Sequence, residues 1–265
     1  MARIWKHMIN ITFGTVLVCA LTAAWMLGKA DRKPVICKGV SITITDSTTN
    51  QFITPDEIRR ILDMEYKDYT GTPIDDVDLA RVEKILNGKS AILKSQAYTT
   101  KDSMLNVTVT QRKPIVRFQK GGKGFYADSE GFLFPLQSTY TSHVQVIDGN
   151  IPLNVGQGYI GRPENRTEQK WLGEILNVVN FIERSRMWKE KIVQITVDKD
   201  GELIMVPREG RERFLFGQPV EIEDKFRKMG IYYKGISKDK GEGYYRWVDL
   251  RYEGQIVCRQ ENENK

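Results

Sequence analysis

The sequence predicts an α+β protein with an N-terminal transmembrane helix, a strand–helix–helix–strand–strand unit, and then a mainly antiparallel β domain with two helices. Three observations predict it. Residues 8–27 (MINITFGTVLVCALTAAWML) are one uncharged apolar run, and about 20 such residues span a hydrocarbon core as a helix. Thr54-Pro55-Asp56-Glu57 is a helix start set between stretches rich in β-branched residues. From residue 114 onward, short apolar stretches alternate with Gly- and Asp-containing turns, and two helical patterns interrupt them.

The apolar run comes first. Arg3, Lys6 and His7 precede it, and Lys29, Asp31, Arg32 and Lys33 follow it. Basic residues on both flanks leave the charge rule for orientation undecided. The short tail, residues 1–7, favours a cytoplasmic N-terminus with the remainder exported. A cleaved leader and a buried core helix are the alternatives, but the apolar region of a leader is only about 7–15 residues long. Bulky Val18 before Cys19 argues against a lipid-attachment site.

Residues 35–44 (VICKGVSITI) read as a strand and residues 47–50 as a turn. A helix then starts with Thr54 as cap and Glu57 closing a capping box, its apolar face made by Ile58, Ile61 and Leu62. Gly71-Thr72-Pro73 breaks the chain, and Asp75 or Asp76 is the expected cap of a second helix, with Val77, Ala80, Ile85 and Leu86 inward. Residues 92–99 and 104–111 read as a hairpin, and the second arm alternates cleanly at period two. After Lys113-Pro114 the short strands are residues 115–118, 125–128, 132–134 and 144–147. A Gly/Pro-rich loop at 154–165 leads to a long amphipathic helix, expected to be capped by Thr167, with Trp171, Ile175, Val178, Val179 and Ile182 facing the core. Residues 192–197 and 203–206 pair as a hairpin, 214–216 form a strand and 220–229 a helix. Residues 244–258 are expected to close the fold as one long strand, interrupted near Glu253-Gly254. The units fall at residues 35–113 and 114–258, followed by a polar tail, 259–265.

Charged residues make up 28% of the chain and the net charge is +6, a mildly basic surface without the dense Lys/Arg run of a nucleic-acid patch. Cys37 and Cys258 read as small apolar strand residues. Enzymatic chemistry finds no support. Only two histidines exist, and His7 lies at the membrane entry. His143 alone cannot build a two-His metal site, and no Cys/His spacing suits a metal or a thiol nucleophile. Gly121-Gly122-Lys123-Gly124 lacks the strand–loop–helix context of a phosphate loop. No catalytic residue, metal, cofactor or small-molecule substrate is expected.

Three further segments carry a family resemblance. The strand–helix–helix–strand–strand order after one membrane span resembles a POTRA domain. Thr110-Gln111-Arg112-Lys113-Pro114 resembles the junction between the POTRA and β domains of the FtsQ/DivIB division proteins, with Thr110-Gln111 standing where an acidic residue is usual. Residues 125–135 (FYADSEGFLFP) resemble the opening of that family's β domain, and residues 247–252 (WVDLRY) its terminal strand. The likeness spans nearly the whole chain and is nearest to Bacteroidetes-like versions. It implies a non-enzymatic organiser of the division septum, anchored once in the inner membrane with its domains periplasmic. FtsB/FtsL-type partners would add a strand to the edge of the last strand. Residues carried over by motif are Tyr252, then Arg251, Glu253, Gly254 and Gln255. Another envelope POTRA protein, assisting protein transfer or assembly, is the alternative with the same fold.

Overall fold

In the computed structural model the described residues are 12–25, 34–45, 51–137, 140–156, 158–241 and 243–261. Residues 12–25 are helical, with Phe13, Val16, Leu17, Leu21 and Trp25 exposed. Among the described residues no helix is long and apolar enough to cross a membrane. Both ends of the 8–27 run, the tail 1–7, the turn at 47–50 and residues 262–265 lie outside the described residues.

The first unit is a three-stranded sheet under two helices. The strands are β1 (Gly39–Ile44), β2 (Ile92–Thr99) and β3 (Met104–Gln111), in the order β1-β3-β2. β1 runs parallel to β3, and β2 antiparallel to it. On β3 the inward residues Leu105, Val107 and Val109 are fully buried, as its period-two pattern requires. Helix α1 (Pro55–Glu65) has the predicted capping box: Thr54 Oγ1 accepts from the Glu57 amide at 3.2 Å, and Glu57 Oε2 accepts from the Thr54 amide at 2.8 Å. It buries Ile58 and Leu62. Helix α2 (Leu79–Asn87) starts later than expected. Asp78 caps it by accepting from the Arg81 amide at 2.9 Å, while Asp75 and Asp76 sit in a 3₁₀ turn, Ile74–Asp76. Of its predicted inward set Val77, which precedes the helix, and Leu86 are buried, joined by Val82.

The second unit is a single nine-stranded sheet. Its strands are β4 (Pro114–Lys120), β5 (Lys123–Asp128), β6 (Leu133–Pro135), β7 (Gln145–Gly149), β8 (Ile192–Val197), β9 (Leu203–Pro207), β10 (Arg213–Gly217), β11 (Trp247–Asp249) and β12 (Val257–Arg259). Their spatial order is β12-β11-β10-β9-β8-β7-β4-β5-β6. The β4–β7, β7–β8 and β10–β11 pairings are parallel and the other five antiparallel. Helix α3 (Arg166–Arg184) buries Leu172, Ile175, Leu176, Val178, Val179 and Ile182 in the core. Its cap is Asn165, whose side chain accepts from the Thr167 amide at 2.8 Å, rather than Thr167 itself. Helices α4 (Arg186–Lys191) and α5 (Ile222–Ile231) follow. The chain beyond α5 continues as a π-helical turn, Tyr232–Ile236, and a short α6 (Ser237–Lys240). Tyr232 is buried there against Phe214.

The two units share a third apolar cluster, formed by Phe52 and Ala91 from the first and Tyr126 and Phe134 from the second. The Phe52 ring lies 5.6 Å from Tyr126, 6.2 Å from Phe134 and 5.0 Å from Tyr140, each edge-on. Beside it, Gln111 Oε1 accepts from the buried Ile53 amide at 3.0 Å. Arg112 pairs with Asp128 at 2.9 Å with both side chains largely buried, 12% and 8% exposed, and its guanidinium lies over the Phe132 ring.

Candidate partner-binding edge

The long closing strand expected at 244–258 is two strands. β11 is hydrogen-bonded on one side to β10 and on the other to β12, with Trp247 opposite Arg259, Val248 opposite Cys258 and Asp249 opposite Val257. The 247–252 segment therefore does not present the free edge. Its β11 portion is interior, and the outer edge belongs to β12, the terminal strand of the sheet. The reason is local. Gly254 adopts φ +64°, a left-handed conformation that costs a glycine little and turns the chain back on itself.

The turn between β11 and β12 brings together four of the expected residues. Tyr252, Glu253, Gly254 and Gln255 are exposed on it, with the Tyr252 side chain 52% exposed, and the Gln255 amide reaches the Tyr252 carbonyl at 3.4 Å. Val257 on β12 and Tyr244, which precedes β11, are exposed nearby in sequence.

Arg251, the fifth, is occupied within the chain. Its Nε and Nη2 bind Asp249 at 2.9 and 2.6 Å, and its Nη1 binds Glu202 at 2.7 Å. A Cβ on Gly217 would lie 2.8 Å from Arg251 Cγ, so a glycine leaves room for the Arg251 stem. Burial by itself would raise the Asp249 carboxyl, but the Arg251 guanidinium outweighs it and holds the group below the usual carboxylate value. The Asp249 carboxylate in turn, then Glu202, raise Arg251.

Sequence reasoning missed Lys228 on α5. Its side chain is 4% exposed, yet its ammonium reaches the carbonyls of Leu250 at 3.2 Å and Tyr252 at 2.7 Å, and Asp224 at 3.0 Å. Hydrogen bonds from Lys228 and then Arg227 hold the Asp224 carboxyl below its usual value. Cys258 is a partly buried free thiol on β12, and burial pushes it up.

A cavity of about 920 Å³ opens where β7 and β8 begin and β9 ends, lined by His143, Gln145, Ile192 and Tyr233 among others. Lys189, Lys191 and Arg208 on its wall are matched by Glu183, Glu190 and Glu209, so it has no charge bias toward one class of ligand. Among the described residues no three His, Cys, Asp or Glu side chains converge as a metal site would require.

A family model described as FtsQ/DivIB, C-terminal related, matches residues 113–259, more than half of the chain. A model of the POTRA-like domain matches residues 35–110. No curated protein matches the chain.

Proposed function

The chain belongs to the FtsQ/DivIB family, and on that premise we propose that it is a non-enzymatic organiser of the divisome that captures FtsB/FtsL-type partners by strand addition to the outer edge of β12. The family domains carry a divisome-associated role. The strand-addition reading rests on one observation: β12 ends the nine-stranded sheet with no strand beside it among the described residues. A terminal strand offers unpaired N–H and C=O groups to another chain. Exposed Tyr252 on the adjoining turn is of a type that dominates interface energetics. Residues 8–27 would hold the protein in the inner membrane, with both domains periplasmic at the septum.

In this reading Tyr252, Glu253, Gly254 and Gln255 contact the partner, while Arg251 shapes the turn. The test is co-purification of the full-length chain in detergent with FtsB/FtsL ectodomains. Tyr252→Ala and Gly254→Pro are expected to lower capture, each with an unchanged circular dichroism spectrum. Unchanged capture by both would move the interface off this edge. No capture by the wild type would favour a POTRA protein of another envelope role.

A further inference from the structure

Lysine is seldom buried whole, and Lys228 is buried on α5, where its ammonium reaches the turn that leads into β12. An ammonium has three N–H donors. Lys228 has three acceptors within reach: the Leu250 carbonyl, the Tyr252 carbonyl and the Asp224 carboxylate. The two carbonyls belong to residues that follow β11 into the turn, where the Leu250 amide still bonds the Leu215 carbonyl of β10 at 3.0 Å. Between them Arg251 is fixed by Asp249 and by Glu202, which precedes β9. Three consecutive residues are thus held from three elements, with Lys228 holding two of them.

We infer that Lys228 is the positioning residue of the partner edge. By fixing the carbonyls of Leu250 and Tyr252 it sets the path from β11 into β12, so that the strand edge and the Tyr252 ring are presented in one arrangement. A docking edge ordered before the encounter loses less conformational freedom on binding. Its sheet register matters because a slip of one residue turns every side chain to the other face. The burial of a cation at this point, rather than an apolar side chain of the same length, follows from what lies around it. A methionine there would fill the space but leave the Leu250 carbonyl without its donor, the Tyr252 carbonyl with only the Gln255 amide and the Asp224 carboxylate with only Arg227. The consequence for binding rests on the strand-addition reading above, whereas the clamp itself is a property of the free chain.

The experiment compares Lys228→Met, Lys228→Arg and Tyr252→Ala in the full-length chain. Amide hydrogen exchange is read by segment, and capture rate is read with FtsB/FtsL ectodomains. Lys228→Met is expected to speed exchange at 250–259 by about tenfold, with β7, β8 and β9 unchanged, and to slow capture by about tenfold. Lys228→Arg, which keeps a cation with several donors, is expected to restore most of both. Tyr252→Ala is expected to weaken capture and leave exchange alone. Should Lys228→Met not fold, Asp224→Asn is expected to give a smaller rise confined to 250–259.

Unchanged exchange at 250–259, or a rise spread evenly over the domain, would overturn the inference. Faster exchange with undiminished capture would also overturn it. If the wild type captures nothing, strand addition fails, and the exchange arm alone still decides whether the clamp exists.

Discussion

The two edges of the nine-stranded sheet end in opposite ways. At β6 the edge is closed by the protein itself. The Leu133 and Gly161 backbones exchange hydrogen bonds at 2.8 and 3.0 Å, Pro135 has no N–H to offer, and the first domain packs its Phe52 against Phe134. At β12 the neighbouring position is empty among the described residues, and the strand is only three residues long. Short edge strands are poor templates for indiscriminate pairing. What β12 lacks in length is supplied by fixing its entry: Lys228 and Arg251 hold the turn while Tyr252 stands out from it. One edge is sealed by apolar burial between domains, and the other is kept open but ordered by buried charge.

The largest effect is expected where the sealed edge is opened. Phe52→Ala removes a ring held by three aromatic neighbours, and equilibrium unfolding is expected to show a loss of about 3–5 kcal/mol. Faster amide exchange at β6 should accompany it, and unchanged exchange there would mean that the domain contact does not close that edge. Next is Arg112→Met, which leaves the Asp128 carboxylate buried without its cation. Denaturant titration is expected to show about 3 kcal/mol lost, with partner capture at β12 retained.

Gly254→Pro acts on the open edge alone. Proline cannot adopt φ +64°, so capture of FtsB/FtsL ectodomains is expected to fall by at least about tenfold, while exchange at β6 stays as in the wild type. Acid sharpens the same contrast. The Asp249 and Asp224 carboxyls are held below their ordinary value of 3.8. Groups depressed in the folded state add stability above the ordinary value and lose it as pH falls through the folded one. Protection at 250–259, taken relative to the intrinsic exchange rate at each pH, is therefore expected to fall below about pH 4, and pH-independent protection would show that Asp249 and Asp224 do not order the turn. The smallest effect belongs to neither edge. Thr54→Ala deletes the α1 cap, with an expected loss of about 1 kcal/mol in thermal unfolding and no change in capture.

Local signals with a short range were legible in the sequence. The capping box at Thr54 and Glu57, the alternation along β3 and the apolar stripe of α3 each reappear, since each is set by neighbours within a turn or a strand. Caps chosen among several candidates were not. Asp78 prevails over Asp75 and Asp76, and Asn165 over Thr167: these side chains accept from the Arg81 and Thr167 amides, and several neighbouring residues of capping type fit the same local pattern. β11 and β12 were merged because three residues are too few to show a period, and only Gly254 marked the reversal. Arg251 has the chemistry of an interface residue, but its charge is consumed by Asp249, two residues before it, and by Glu202, from a turn 49 positions away that sequence spacing cannot bring to it. The burial of Lys228 depends on carbonyls more than twenty positions away, which no helical pattern marks.

Strand addition would place a partner segment directly against β12. The most direct measurement is segment-resolved hydrogen exchange on the full-length chain, alone and with FtsB/FtsL ectodomains. New protection is expected at the amides of 257–259, together with the adjoining turn, and no change at β6. Protection that appears elsewhere on the domain while 250–259 exchanges as before would contradict it.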